Sequence, residues 1–179
     1  MSMQAQELAQ EAWRQLRRAT ADKRHAFRFV ALASHARDTL QNRMVVMRSF
    51  SASGEVNIYT DKRTQKVSAI QEHGEVALLW WDPKRKLQVR FQALAKLLPG
   101  EEALEHVPQQ RQAQKDYTTQ LAPGTAVSQP EAVTWTEELH FAVISCMPFH
   151  ADILQLGKPH KRVKGARKGD KWVWQWVVP

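Results

Sequence analysis

The feature that most constrains this chain is a series of strand-length segments between Phe27 and Leu98, which follow one another mainly through short turns. Phe27–Ala33 reads as a short strand, and polar Ser34–Asn42 as a connection. Met44–Phe50, rich in Val and Met, reads as the next strand. Gly54 supplies a turn, and Val56, Ile58 and Thr60 then alternate with Asn57 and Tyr59. Val76–Trp81 is a continuous apolar run of strand length, which predicts a central strand buried on both faces. After the Asp82-Pro83 turn, Leu87, Val89, Phe91 and Ala93 alternate with Gln88, Arg90 and Gln92 as a half-buried strand reaching Leu98. Strands in this order favour an antiparallel sheet or closed barrel over a doubly wound parallel sheet.

Helices are peripheral in this reading. Leu8, Ala12, Leu16 and Ala19 recur at helical spacing within Ser2–Lys23. Thr64 is placed to cap a short helix that runs to Glu72 and ends at Gly74, with Val67 and Ile70 on one face. A polar helical segment opens at Pro99-Gly100-Glu101, runs to Asp116 and is interrupted near Pro108. Ala122–Pro130 is punctuated by Pro and Gly and reads as an exposed loop. His140–Met147 and His150–Leu156 read as two strands parted by Pro148, and the tail as a hairpin turning at Lys168-Gly169-Asp170.

At 179 residues the chain has the length of one domain, long enough to bury a real core. Within it we read an N-terminal helix over 1–25, barrel strands over 26–98, a helix and loop over 99–139, and C-terminal strands over 140–179. No apolar run approaches the ~18 residues of a membrane span. Cys146 is the only cysteine, so an intrachain disulfide is impossible, which fits a reducing, cytoplasmic compartment. Cys146 itself lacks a local nucleophile signature and reads as a buried apolar residue. The seven histidines show no metal-ligand spacing with it or with each other, so no metal is expected.

The net charge of +8 suggests an anionic partner: nucleic acid, anionic lipid or a phosphorylated small molecule. Cations gather in Arg14–Arg28 and again in Lys158–Lys171, and each cluster also suits a plain solvated face. The sharper pattern lies in Arg43–Ile70. One strand opens with Arg43 and closes with Arg48, the next ends in Tyr59-Thr60, and a basic segment with Arg63, Thr64, Gln65 and Lys66 follows. Cations and hydroxyls in this order suit a phosphorylated ligand with a flat ring, because a phosphate takes Arg, Lys and hydroxyl donors. Taken singly, the two arginines also suit strand-end cations, Tyr59 a rim aromatic, Thr60 a β-branched strand residue, Lys66 a solvated helix residue and Gln88 a polar-out position.

These residues resemble the FMN-binding stretch of the pyridoxamine 5'-phosphate oxidase family. Arg43-Met44-Val45-Val46-Met47-Arg48 is similar to the family's Arg-x-Val-Leu-Leu-Lys strand, with Arg48 keeping the terminal charge. Tyr59-Thr60 stands where the family has Tyr-Thr. Gln65-Lys66 stands at its phosphate-binding Arg-Lys, with Arg63 nearby as a substitute for the missing cation. Leu79-Trp80-Trp81 resembles its Leu-Phe-x-Trp, and Leu87-Gln88-Val89 its Arg-Gln-Val, whose Gln meets the flavin ring.

The resemblance implies a mainly β fold, an FMN-binding split β-barrel of antiparallel Greek-key type with an N-terminal helix. It also implies FMN held at the seam of a homodimer, and flavin-dependent oxidoreductase activity on a small-molecule substrate. Arg43 and Lys66 would meet the phosphate, Arg48 the ring or a substrate anion, and His160 and Arg162 the substrate. The chain departs from the family at the substrate end. His160-Lys161-Arg162-Val163-Lys164 replaces the Arg-Leu-His motif and its later Arg, Leu154 replaces a flavin-stacking Trp, and the helix carrying Tyr, Arg and Ser is not recognisable between Glu101 and Ala126. An altered substrate is therefore expected. The rival readings are a non-catalytic flavin- or haem-linked module on the same barrel and, less favoured, a basic nucleic-acid-binding barrel. The alternating Trp172, Trp174 and Trp176 suit a packed or subunit-buried stripe better than a ligand platform.

Overall fold

A computed structural model describes residues 3–36, 39–108 and 114–179. Helix α1 (Met3–Ala21) is followed by strands β1 (Phe29–Ala36), β2 (Thr39–Phe50) and β3 (Val56–Asp61), then helix α2 (Gln65–Glu72). Next come β4 (Glu75–Asp82), β5 (Leu87–Leu97), helix α3 (Gly100–Glu105), β6 (Phe141–Gln155), β7 (Lys161–Lys168) and β8 (Lys171–Trp176). All strand pairings are antiparallel, in the order β3-β2-β1-β4-β5-β6-β7-β8. β3 also pairs with β6, from Val56↔Cys146 to Asp61↔Phe141, which closes the first six strands into a barrel. The fourth strand returns beside the first, the Greek-key arrangement expected. The β7–β8 hairpin extends the sheet beyond the closed barrel.

Alternation builds the core. Val30, Leu32, Met47, Val56, Ile58, Leu78, Trp80, Val89, Phe91, Ile144 and Ile153 point inward and are fully or almost fully buried. α1 lays Leu8, Ala12, Leu16 and Ala19 against this core, as their spacing predicts. Its Trp13 meets Phe50, Phe91, Trp172 and Trp174 at centroid distances of 5.3–5.8 Å. Trp172 stacks on buried Trp174, whereas Trp176 at the strand end is 39% exposed, so the tryptophan stripe is only partly packed within one chain. Gly54 turns β2 into β3 with φ +94°, a conformation that suits glycine, beside Trp13 and Pro148.

Gly165 lies opposite Trp174 on β8, and the indole occupies the space a side chain would need. A Cβ there would approach ring atoms of Trp174 to less than 3.0 Å. Gly165→Ala should therefore cost about 1–3 kcal/mol of stability through overpacking. A denaturant titration showing no loss would contradict this packing.

The strands depart from the sequence reading in three places. Ser34–Asn42 is not a loose connection, for β1 and β2 pair out to Ala36↔Thr39. Inward-facing Ser34 is tolerated there because its hydroxyl accepts a hydrogen bond from Arg43 at 2.7 Å. β4 is not buried on both faces: its burial strictly alternates, leaving Leu79 39% and Trp81 44% exposed in the single chain. A closed barrel has one interior, so only alternate residues reach it. Finally, β6 is one strand across Pro148. Gln92 faces His150 and Ala93 faces Pro148, so Phe149 bulges out, and the bulge accommodates a residue with no N–H. The segment expected to be helical to Asp116 is helical over Gly100–Glu105 and forms a 3-10 turn at Lys115–Tyr117, while residues 109–113 lie outside the described residues. Ala122–Pro130 is exposed apart from half-buried Ala122, as expected of that loop.

Candidate functional site

The residues around Arg43 divide into two adjoining groups. In the first, β2 carries Arg43 at the end nearer α2, where it donates to Leu32 O at 3.2 Å, Ser34 Oγ at 2.7 Å and Gln41 Oε1 at 2.7 Å. Burial lowers its pKa. α2 begins immediately after Thr64 and brings Lys66 to Thr60 at the end of β3, with Nζ donating to Thr60 Oγ1 at 2.9 Å. Thr64 stands at the cap position, but its hydroxyl donates to Asp61 O at 2.9 Å rather than capping the helix. Lys66 is held below the usual lysine pKa, first by burial and then by the Arg43 charge, with Asp61 opposing. Gln65 joins the group through Gln41, at 3.3 Å.

Arg43 and Lys66 are thus two neighbouring, partly desolvated cations. Their hydrogen bonds go only to neutral oxygens among the described residues. No carboxylate is hydrogen-bonded to either cation among the described residues, and a phosphate dianion with hydroxyl donors beside it matches that deficit. By this observation the residues fit FMN through its phosphate.

The second group surrounds Arg48. Met47 pairs with Ile58 and Ser49 with Asn57, so Arg48 is the extra residue of a β-bulge, a device that re-aims a side chain. Its guanidinium lies 5.2 Å from the ring centroid of Tyr59, within cation–π range. The Arg48 Nε is buried with no hydrogen-bond partner among the described residues. Tyr59 meets Phe141 edge-on at 5.1 Å, and its hydroxyl lies 3.4 Å from His106 Nδ1. Burial raises the Tyr59 pKa, with the Arg48 charge opposing. Between the two arginines, Val45 and buried Met47 line the core, while Met44 faces outward and is 62% exposed, with Val46 half-buried.

The remaining expected residues lie elsewhere. Arg63 is tied to Asp61 by bonds of 3.0 and 2.7 Å, and reaches Thr119 O and Gln120 O at 2.9 and 3.2 Å. Its guanidinium is bonded within the protein, so of the three expected phosphate cations Arg43 and Lys66 are the two that face neutral partners among the described residues. Gln88 is half-buried on β5, three strands along the sheet from β2, between Trp81 and Leu154. His160 is exposed in the β6–β7 turn, where Nδ1 accepts from Gly157 N at 3.0 Å. Arg162 binds Asp152 at 3.0 and 2.8 Å, and Arg90 binds the same carboxylate at 2.6 Å. Sequence reasoning missed this two-arginine clamp, and also Ser34 and Tyr117. The chain has two tyrosines, and both lie beside Arg48.

Three carboxylates in this framework give a pH prediction. For Asp61, Asp82 and Asp152, burial pushes the pKa up, but hydrogen bonds from Arg63, Arg85, and Arg162 with Arg90 outweigh it and hold each below the ordinary 3.8. A depressed carboxylate contributes stability that is present above the unfolded value and lost as pH falls through the folded one. Urea midpoints should therefore begin to drop as pH approaches about 4 and continue falling below it. A midpoint unchanged between pH 6 and 3 would show that these pairs contribute nothing. Cys146, buried on β6, has its thiol pushed up by burial to about 12, as expected of an inert core residue.

A Greek-key barrel with a cationic, hydroxyl-lined patch at the start of α2 defines a class of barrel proteins suited to phosphorylated cofactors. The sequence matches the family described as pyridoxamine 5'-phosphate oxidase, FMN-binding domain, over residues 10–99. The chain belongs to this family of FMN-binding split barrels, and FMN is its cofactor. Among solved structures it is similar to a pyridoxamine 5'-phosphate oxidase-related FMN-binding protein from Nostoc punctiforme PCC 73102. The identity is 18%, 95% of this chain and 96% of that one are covered, and the TM-score is 0.78. It is also similar to PhzG from Burkholderia lata 383, solved with tetrahydrophenazine-1-carboxylic acid, at 17% identity, 96% and 92% coverage and a TM-score of 0.76. General Stress Protein 26 from Bacillus anthracis str. Sterne is more distant, at 11% identity, 82% and 99% coverage and a TM-score of 0.54. At these identities the likeness establishes the fold. A search of the curated proteins found no match. No helix among the described residues is long and apolar enough to cross a membrane.

Proposed function

We propose that this protein is an FMN-dependent oxidoreductase, working as a homodimer and as one domain over residues 1–179, with a substrate site altered from that of pyridoxamine 5'-phosphate oxidase. The observation that carries the reading is the Arg43–Lys66 pair, two neighbouring cations whose hydrogen bonds go only to neutral oxygens. These two hold the phosphate, with Thr60, Thr64 and Gln65 around it. Met44–Met47 supply backbone beside the cofactor, Arg48 with Tyr59 sets a positive charge at the ring, and Gln88 meets the ring's polar edge. FMN supplies the hydride-accepting ring when bound. The protein's own contribution is to bind, orient and place charge, and no side chain is assigned as an obligatory acid or base.

The altered substrate site is supported by His160, spent on its own turn, and by Arg162, committed to Asp152. Exposed Phe29, Met44, Leu79 and Trp81 on the outer barrel face support a second copy as partner. The lone, buried Cys146 supports a cytoplasmic setting.

The test is to purify the protein and look for the flavin band near ~450 nm, which the cofactor's own chemistry sets. Anaerobic addition of nicotinamide donors, pyridoxamine phosphate and pyridoxine phosphate should bleach it with at least one class of donor. A colourless protein that does not quench FMN fluorescence would sink the reading. Bound flavin that no donor reduces would instead favour the non-catalytic module, which the broken substrate motif also motivates.

A further inference from the structure

We infer that Arg63 and Tyr117 are positioning residues: they strap the segment 117–120 across the end of β3, so that the Arg48 guanidinium is clamped between Tyr59 and Tyr117. The inference deepens the flavoenzyme reading and rests on it. Arg48 needs such support because, as the extra residue of a bulge, it has no cross-strand partner on β3 to fix it. Tyr59 offers its ring face at 5.2 Å. Tyr117 approaches from a different element, the 3-10 turn Lys115–Tyr117, and is 6% exposed. The two tyrosine rings meet opposite ends of one contact chain, each edge-on to Phe141, at 5.1 and 5.0 Å. The Tyr117 hydroxyl has its pKa raised by burial, while the Arg48 charge and hydrogen bond oppose that rise.

What brings Tyr117 there is Arg63. Its guanidinium holds Asp61, two residues beyond Tyr59 on β3, and donates at the same time to Thr119 O at 2.9 Å, Thr119 Oγ1 at 3.2 Å and Gln120 O at 3.2 Å. Backbone bonds from His140 N to Tyr117 O at 2.7 Å and from Thr136 N to Thr118 O at 2.8 Å hold the strap's other edge. The strand that carries Tyr59 is thereby tied to the turn that carries Tyr117, with Arg48 between them. Among the described residues Arg48 keeps a buried Nε–H with no acceptor, so its positive charge stays available to an anionic group beside the clamp. The group that gains negative charge when a flavin is reduced is the ring itself, so the strap tunes the flavin's potential.

The experiment measures the midpoint potential of the bound flavin in the holoprotein, in Arg48→Gln, in Tyr117→Phe and in Arg63→Gln. Arg48→Gln should lower the potential. Tyr117→Phe, which removes only a hydroxyl, should shift it in the same direction by a threefold to tenfold change in the ratio of reduced to oxidised FMN affinity, up to about 30 mV for a two-electron couple. FMN should stay bound and the thermal midpoint should change little. If Arg48→Gln lowers the potential and Tyr117→Phe leaves it unmoved, the strap is structural only and the inference fails while the flavoenzyme reading stands. If Arg48→Gln itself has no effect, Arg48 is not beside the ring and the inference also fails. If the wild-type protein binds no FMN, both fail together. Should Arg63→Gln not fold, the hydroxyl deletion at Tyr117 still decides the matter.

Discussion

Replacing Arg43 and Lys66 together with alanine is expected to weaken FMN binding by roughly 100-fold to 10,000-fold. Each cation would lose a charge-assisted contact worth about 1.5–3 kcal/mol, and ~1.4 kcal/mol is tenfold in affinity. The single variants should not divide this effect evenly. Arg43 holds the Lys66 pKa down, so removing Arg43 relieves repulsion and leaves Lys66 more firmly protonated. Arg43→Ala alone should therefore cost less than half of the double loss, as expected for groups that share one site. The same coupling sets a pH dependence. Lys66 titrates below the ordinary 10.5, so phosphate binding should weaken on the alkaline side at lower pH than an ordinary lysine would give. The apoprotein should lose little stability, because the change removes two cations that repel each other. The remaining penalty is at the buried Ser34 and Thr60 hydroxyls and Leu32 O, which lose their Arg43 and Lys66 donors. Fluorescence titration of FMN into refolded apoproteins at pH 7 and pH 10 tests all of this. A double variant that binds FMN as tightly as wild type would remove these two residues from the site.

The residues that were legible in the sequence are those whose role depends on one strand or one turn. The alternation of Val56, Ile58 and Thr60 and the Gly54 turn are local, and the structure follows them. Arg43, Thr60, Thr64 and Lys66 come together because β2, β3 and the start of α2 are consecutive in the chain, so their order already implied their neighbourhood. Apolar runs and polar stretches misled for one physical reason. A barrel strand is read by its inward face, and Leu79, Trp81 and the polar residues of Thr39–Asn42 lie outside that rule once the β1–β2 and β4–β5 pairings are made. Contacts across long sequence separations were not legible at all. Arg63 finds Thr119 across 56 residues, and Arg90 finds Asp152 across 62. Nothing near either arginine in sequence announces such a partner. Tyr117 belongs to the same class: a polar, helix-like neighbourhood concealed a buried ring. Its similarity to the Nostoc protein in fold at 18% identity has the same origin, since the inward positions need only apolar volume and the turns only a few special residues.

Trp13→Ala is expected to destabilise the protein by about 3–5 kcal/mol, the range for deleting a large buried aromatic. For a domain of this size that corresponds to a thermal midpoint lower by roughly 6–20 °C. The size follows from where the indole sits. It is 9% exposed and touches the barrel core through Phe91 and Phe50, and the C-terminal hairpin through Trp172 and Trp174. The β7–β8 hairpin lies beyond the closed barrel and is paired along one edge only, to β6 through β7. Arg162 also binds Asp152 and Val163 enters the core, but the aromatic cluster is what ties the hairpin to α1, so loss of Trp13 removes the wedge that joins α1, barrel and hairpin. The effect should therefore be uneven. Hydrogen exchange should rise first at Lys161–Trp176 and along α1, while the β2–β3 and β3–β6 pairings that carry Arg48, Tyr59 and Thr60 keep their protection. The FMN affinity of the folded fraction should be unchanged, because none of the residues in ring contact with Trp13 belongs to the phosphate or Arg48 groups. Trp13→Phe should recover part of the lost stability by refilling the cavity. Exchange that rises uniformly over all eight strands would mean instead that the hairpin and the barrel unfold as one unit and that Trp13 is not their junction.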